Sequence, residues 1–284
     1  MTISVRPRRS ALYLPASNLK AIGKVRALPC DVVILDLEDA VAPDAKLIAR
    51  QQAVEAVAAG GFGPRELIVR TNGLDTEWGR DDIAAFAAAR PDAILIPKIN
   101  SSGDVEACER LIPPGVAVWA MIETARSLFR LDDIAATSEK GRLAGFVMGT
   151  NDLAKEMGAS PGIARTPFLG MLGMAVAAAR AYGLAILDGV YNALDDDAGL
   201  AEQCRQAVEF GFDGKTLIHP NQIAICNAAF TPGDAEIAWA ERIIAAFSEP
   251  ENANKGAIRV DGKMVERLHL VQARRTLSIA AGRV

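Results

Sequence analysis

Aromatic residues are scarce in this sequence: Phe, Trp and Tyr make up 5% of its 284 residues. Its 50% hydrophobic content is therefore mostly Ala, Val, Ile and Leu, which favours helices packed on a sheet over a β-sandwich. There are 4 cysteines, Cys30, Cys108, Cys204 and Cys226. None forms a CxxC pair, and their spacing fits neither a zinc site nor a disulfide framework, so buried reduced thiols are expected. The net charge of −4 comes with no long run of one sign. A nucleic-acid partner would call for a basic stripe, and none is expected here. No uninterrupted apolar run approaches about 18 residues, so no membrane-spanning helix is expected. The opening MTISVRPRRSALYLP lacks the apolar stretch of a signal peptide, and a cytoplasmic location is the expectation.

What the sequence does contain is a repeated unit. Short runs rich in Val, Ile and Leu occur at Ala11–Pro15, Asp31–Leu37, Glu66–Arg70, Ala93–Pro97, Val116–Ile122, Ala144–Met148, Leu184–Leu187 and Lys215–Ile218. They largely lack strict alternation, as strands buried on both faces do. Ala-rich segments between them, such as Asp44–Ala58, Ser102–Leu111 and Phe168–Ala181, read as helices. Eight such strands in about 220 residues fit a closed (β/α)8 TIM barrel. A doubly wound open sheet is the alternative, weakened because no GxGxxG follows the first strand.

After His219-Pro220 the pattern changes. Pro232 and Asp234 mark a helix start, and Asp261-Gly262 between apolar residues is a hairpin signal. A last amphipathic helix is expected near Glu266–Ala281. The chain thus divides into a catalytic barrel, 1–230, and a C-terminal helical and hairpin segment, 231–284. That segment is read as a lid and oligomer-contact element, with one more helix on the barrel exterior as the alternative.

In a barrel, chemistry collects at the carboxyl ends of the strands, and the polar residues stand there. The second strand runs into Asp36-Leu37-Glu38-Asp39, the third ends at Arg70-Thr71-Asn72, and the fourth at Pro97-Lys98. The fifth ends at Glu123-Thr124, the sixth at Gly149-Thr150-Asn151-Asp152, the seventh at Asp188-Gly189 and the eighth at His219-Pro220. Carboxylates held close repel, and a divalent cation resolves the repulsion; all-oxygen ligands point to Mg2+, with Mn2+ as the substitute. Glu123 and Asp152 are the expected ligands, with Glu38 and Asp39 holding waters around the ion. Arg70 suits a substrate carboxylate or developing oxyanion; its alternative is a salt bridge to Asp39 or Glu38. Gly149 and Thr150, beside Asp152, are candidate substrate-binding positions. Lys98 reads as a Schiff-base lysine or, beside these carboxylates, as a structural or phosphate-facing cation. His219 reads as a strand cap rather than a base.

These residues carry a resemblance. Arg9–Pro15 and Asp31–Pro43 (DVVILDLEDAVAP) are similar to the start of citrate lyase beta-subunit-like proteins. Those proteins belong to the HpcH/HpaI aldolase superfamily, which also holds malyl-CoA and citramalyl-CoA lyases. IVRTN, ILIPK, MIET, GTNDL, DGVY and GKTLIHPNQ follow in order, so the resemblance spans nearly the whole chain. It implies a TIM barrel with a C-terminal lid, assembled as homotrimers or hexamers. It implies Mg2+ on Glu123 and Asp152, Arg70 on a small oxo acid, and a coenzyme A thioester whose phosphates meet Arg9, Lys24 and Lys20. In the lyases of the family a catalytic Asp follows a Gly-Lys-Met-Ile/Val pattern and reaches a neighbouring subunit. Here the run is Gly262-Lys263-Met264-Val265-Glu266. Glu266 stands for that acid with one more methylene, marks a different substrate, or merely starts a helix. The implied reaction is carbon–carbon cleavage or formation of a malyl-, methylmalyl- or citramalyl-CoA, giving glyoxylate or pyruvate plus acetyl- or propionyl-CoA. Hydrolysis of malyl-CoA, or a citrate lyase beta subunit acting on a citryl thioester, is the alternative. A catalytically silent binding protein fits poorly with an intact Glu, Asp and Arg set.

Overall fold

In a computed structural model, which describes residues 6–281, the eight apolar runs close into a barrel. The strands are β1 Ser10–Pro15, β2 Val32–Asp36, β3 Glu66–Arg70, β4 Ala93–Ile96, β5 Ala117–Ile122, β6 Leu143–Met148, β7 Ala185–Asp188 and β8 Gly214–Leu217. Each pairs in parallel with its sequence neighbour, and β1 closes the ring against β8. The closed ring decides between the two expected architectures in favour of the TIM barrel. Helices fill the crossovers, among them Lys46–Ala59, Leu169–Ala181 and Asp197–Phe210. Among the described residues no helix is long and apolar enough to cross a membrane.

Inward-facing positions recur every second residue along a strand. Ala11, Val32, Ile34, Ile68, Leu95, Trp119, Met121, Val147 and Leu187 form the buried interior. With few aromatics available, one indole does much of the filling: Trp119 is the largest fully buried side chain. It fits because its neighbour on β6 is Gly145, where a Cβ would meet the ring at 2.7 Å.

Outside the ring, β7 and β8 carry a buried ionic cluster. Asp188 and Lys215 are register partners, one residue beyond inward-facing Leu187 and Gly214, so both point away from the barrel axis. Asp188 accepts from Lys215 Nζ at 2.7 Å and Arg165 Nη1 at 2.6 Å. Lys215 also reaches Gln203 on the covering helix at 3.2 Å. Asp188 and Lys215 are fully buried, and such a network stands only while every charge is paired.

The chain forms two compact units. One is Arg8–Ala228, the barrel; the described residues of the other are 6–7 and 229–281. In the second unit, helices Asp234–Ser248 and Arg267–Ala281 accompany a hairpin of β9 Ala257–Val260 and β10 Lys263–Glu266. Ala240, Ile243, Phe247, Val260, Val265, Leu270 and Ala273 are its core. The hairpin turns on Asp261 and Gly262, at φ 47° and 80°, the paired left-handed conformations a two-residue type I′ turn requires.

Replacing Asp188 by Asn tests the ionic cluster. It leaves two buried cations short of a counter-charge and should cost about 3–5 kcal/mol at neutral pH. Burial alone would raise the Asp188 carboxyl, but Lys215 and Arg165 outweigh it and hold it below its ordinary value. The stabilisation is therefore present above the ordinary carboxylate range and is lost as pH falls through the lowered value. Urea melts of both proteins at pH 7 and pH 3 should show a gap that narrows in acid; a pH-independent gap would contradict this assignment.

Candidate active site

The inward stripe continues past the strand ends into charge. Asp36, Arg70, Glu123 and Gly149 each lie two residues beyond an inward-facing position: Ile34, Ile68, Met121 and Val147. Period-2 geometry thus delivers three charged side chains and one gap to the carboxyl mouth of the barrel.

Asp36 and Arg70 are cross-strand partners. Arg70 donates from Nε to Asp36 Oδ1 at 2.7 Å and from Nη2 to Oδ2 at 2.6 Å, a bidentate fork. The same carboxylate accepts from the backbone N–H of Glu38 and Ala40. The guanidinium lies 4.8 Å from the Tyr13 ring centroid, and burial pushes the Tyr13 phenol up. The edge of Arg70 that remains, Nη1, sits 2.9 Å from Glu38 Oε2 and 3.8 Å from Asp39 Oδ2. The salt bridge weighed for Arg70 therefore exists, but its principal partner is Asp36. Sequence reasoning placed Asp36 at the strand end and gave it no role. Its spacing from Ile34 was the available signal.

Glu38 is buried and divided between two cations. Oε1 accepts from Lys98 Nζ at 2.6 Å, while Oε2 faces Arg70 without an aligned hydrogen bond. Burial raises its carboxyl, and Arg70 and Lys98 pull it back. Its backbone is pinned from behind: buried Lys46 donates to Leu37 O and Glu38 O, both at 2.8 Å, and to Asn72 Oδ1 at 2.7 Å. Asn72 in turn donates to Asp82 at 2.6 Å. Lys46 and Asp82 sit inside helices with no strand-end position to mark them, and sequence reasoning missed both. Asp39 is over half exposed.

Glu123 follows β5 and is 1% exposed. Oε1 accepts the backbone N–H of Lys98 at 2.7 Å. Oε2 is buried with no partner at all. Its carboxyl is pushed up to about 8, first by burial and then by the charge of Glu38, with Asp152 adding in the same direction. Asp152 lies in the first turn of helix Thr150–Met157, where an acidic side chain complements the helix dipole. A bare carboxylate oxygen, on a carboxyl raised by burial and then by neighbouring acids, is the donor a hard cation satisfies. No group of three or more acids, His or Cys forms a closed cage among the described residues. Mg2+ needs no such cage, since it takes one or two protein carboxylates and keeps waters. Glu123 and Asp152 fit that demand.

Gly149 and Thr150 have packing roles. A Cβ at Gly149 would lie 2.3 Å from Glu123 Cβ and 2.5 Å from Oε2. Thr150 is buried against Gly189, where a Cβ would meet its Oγ1 at 2.5 Å. Both support Glu123 and the loop bearing Asp152. His219 accepts from Asn221 N at 3.3 Å and caps its loop. Arg9 needs a larger correction. It precedes β1, at the amino-terminal end of the barrel, opposite the mouth. There it grips Asp31 through Nε and Nη2, both at 2.8 Å, and through its backbone N–H at 2.9 Å. A guanidinium so engaged at the far rim is not placed to meet a phosphate at the mouth. Lys20 and Lys24 are exposed on helix Leu19–Val25, in its first and last turns. Glu266 ends β10 in the second unit, its backbone N–H donating to His269 Nδ1 at 2.9 Å.

A (β/α)8 barrel with clamped arginine and paired carboxylates at its carboxyl mouth has the layout of an aldolase-type enzyme. Residues 9–220 match the HpcH/HpaI aldolase/citrate lyase family, and the chain belongs to that family. It is similar to a (3S)-malyl-CoA thioesterase of Cereibacter sphaeroides, 50% identical over 280 residues, covering 99% of this chain and 97% of that one. It is also similar to an L-malyl-CoA/beta-methylmalyl-CoA lyase of Cereibacter sphaeroides, 35% identical, covering 94% and 93%. Among solved structures, CitE from Mycobacterium tuberculosis in complex with magnesium, acetoacetate and coenzyme A superposes with a TM-score of 0.79. The two are 30% identical, and the match covers 98% of this chain and 100% of that one. The resemblance seen in the sequence motifs is borne out.

Gly149→Ala tests the gap beside Glu123. Its backbone, at φ −100° and ψ 73°, does not demand glycine, so the clash alone acts. Overpacking of this kind should lower stability by about 1–3 kcal/mol, and a crystal structure of the variant should show Glu123 displaced. An unmoved Glu123 with unchanged melting would refute the packing role.

Proposed function

We propose that this chain hydrolyses a malyl-type coenzyme A thioester, with Mg2+ or Mn2+ held by Glu123 and Asp152. The observation that carries the reading is end-to-end identity of 50% with a malyl-CoA thioesterase, against 35% with a lyase. The sequence motifs alone put carbon–carbon cleavage first and hydrolysis second; the relatives reverse that order. In hydrolysis, water adds to the thioester carbonyl, the C–S bond breaks, and the thiolate leaves with a proton, giving malate and free coenzyme A. The Nη1 edge of Arg70, left over from the Asp36 fork, offers positive charge to the oxygen on which charge develops. Glu38, fixed by Lys98, and exposed Asp39 would order water beside the ion. The bound ion would supply Lewis acidity and a template for a hydroxyl and its neighbouring carboxylate. Exposed Lys20 and Lys24 are the cations left to meet the coenzyme A phosphates, Lys20 being the nearer to the carboxyl end of β1.

Carbon–carbon cleavage is the second reading. It is favoured by the lyase relative and by Arg70, whose charge would equally stabilise an oxo acid or enolate oxygen. A citrate lyase beta subunit, acting on a carrier-bound citryl thioester, would be inert on free coenzyme A substrates without partner subunits. In either reading we place Glu266 as the proton-transfer acid, delivered within a homotrimer or hexamer to a neighbouring subunit by the C-terminal segment acting as a lid. The cell compartment proposed is the cytoplasm.

Incubation with malyl-CoA, with and without Mg2+, followed by mass spectrometry of the products, separates the readings. Malate with free coenzyme A supports hydrolysis, and glyoxylate with acetyl-CoA means cleavage. Neither product would overturn both. Glu123→Ala and chelation of the ion should each lower kcat/KM by about 100-fold or more, the equivalent of several kcal/mol of lost charge stabilisation. Glu266→Gln should lower kcat by about 10²–10⁴-fold with little change in KM, and Glu266→Asp should restore part of it. Full activity in Glu266→Gln would remove that residue from the chemistry.

A further inference from the structure

One residue at the barrel mouth serves two carboxylates with two different donors. The backbone N–H of Lys98 donates to Glu123 Oε1 at 2.7 Å. Its ammonium donates to Glu38 Oε1 at 2.6 Å. It does so from a left-handed backbone, φ 53°, a conformation that costs an L-residue free energy and persists only where the surroundings enforce it. Those surroundings are visible. Asn100 donates to the Lys98 carbonyl at 2.9 Å and accepts from the Thr124 hydroxyl at 2.7 Å. Thr124 is the residue after Glu123, so the loops that follow β4 and β5 are tied together at the carboxylate they share.

The consequence falls on Glu123. Oε1 is drawn toward the Lys98 N–H, and Oε2 is the buried atom with no partner. Oε2 is thereby the oxygen of Glu123 that is turned toward a cation. Mg2+ is content with single carboxylate oxygens in a tight octahedron, whereas Ca2+ has more and longer bonds to fill and often takes both oxygens of a carboxylate. We infer that Lys98 is a positioning residue for metal selection: its left-handed backbone, anchored by Glu38, holds Glu123 to one oxygen and so favours Mg2+ over Ca2+. This rests on the cation reading given above and adds to it a determinant outside the ligand set. In this role Lys98 acts through Glu123 and Glu38, the two carboxylates it contacts. Neither the Schiff-base nor the phosphate-facing role is then required of it.

Glycine separates backbone from charge, because it accepts a left-handed φ without penalty. Lys98→Ala loses the anchor and keeps the strain, so the loop relaxes and Glu123 is released. Lys98→Gly loses the same ammonium but keeps the conformation. Lys98→Asn, which tolerates this region, is the second conformation-keeping variant should the glycine loosen the loop. Binding is read on the full chain by competition of Mg2+ and of Ca2+ against Mn2+, followed by the Mn2+ resonance, with melting temperatures confirming that each variant is folded. In Lys98→Ala the preference for Mg2+ over Ca2+ should fall by about tenfold, the scale set by one left-handed penalty. In Lys98→Gly and Lys98→Asn it should stay within about threefold of the parent. Equal losses in all three variants would mean that the ammonium's charge acts alone, and an unchanged ratio in Lys98→Ala would mean that the loop does not matter; either overturns the inference while leaving the cation reading intact. A parent chain that takes up none of the three ions would overturn the cation reading itself.

Discussion

The mouth of this barrel holds Asp36, Glu38, Asp39, Glu123 and Asp152 against Arg70 and Lys98, with Lys46 behind them, and the bidentate Asp36–Arg70 fork is what makes that arrangement tenable. Desolvating an ion pair yields little net stability, because the desolvation cost is of the same order as the attraction. The value of the fork lies in orientation. Asp36 is saturated by four donors, so it cannot also serve as a ligand. Arg70 is fixed by Asp36 at two of its nitrogens, and the third, Nη1, is set between Glu38 Oε2 and Met121 Sδ. Without Asp36 the guanidinium would keep only Glu38 and Asp39 as carboxylate partners, and the mouth would lose the fork that orients its cation. Burial, and after it the charge of Glu38, pushes the Glu123 carboxyl up to about 8, while Asp188, an equally buried acid with two dedicated cations, is held low.

Support for this arrangement comes from outside the ring. Lys46, Asn72 and Asp82 hold the peptide between Leu37 and Glu38 from the helix side. Gly149 lets β6 pass close behind Glu123, and Gly189 does the same behind Thr150. Asp188 joins β7, β8 and the Arg165 loop on the exterior of the wall. The mouth therefore inherits its geometry from strand register and its rigidity from contacts behind the wall, the division expected where a site must be held to a fraction of an ångström.

Much of this was legible in the sequence because strand periodicity and charge spoke together. A parallel strand buried on both faces writes itself as a Val/Ile/Leu run, and the charged residue that ends the run marks the mouth. That logic found Glu38, Arg70, Glu123 and Asp152. It passed over Asp36, which reads as part of the apolar run, and Lys46, which reads as one polar residue among many in a helix. It misplaced Arg9, since a cation flanking a strand can stand at either rim and only the strand's direction says which. The gap that Gly149 leaves beside Glu123 is invisible in the sequence, because a glycine's role as a gap depends on a neighbour from another strand. The left-handed turn at Lys98 left no trace, since nothing about lysine at that position announces positive φ.

The choice between hydrolysis and carbon–carbon cleavage illustrates the same limit from the side of chemistry. Both reactions build negative charge on the carbonyl oxygen of the thioester, and both would be served by an oriented guanidinium and a divalent cation. The motifs that carry the family resemblance, DLEDAV, IET and GTNDL, fall at the mouth and supply those shared parts. They define a class of transition state and leave open which bond breaks. What distinguishes the outcomes is whether water reaches the carbonyl carbon or a proton reaches the carbon beside it. That depends on the acid brought to the substrate and on what shuts water out, and neither is encoded by the eight strand ends. It follows that whole-chain similarity, which includes the residues beyond the barrel, discriminates where the barrel motifs cannot, and it is whole-chain similarity that puts hydrolysis ahead.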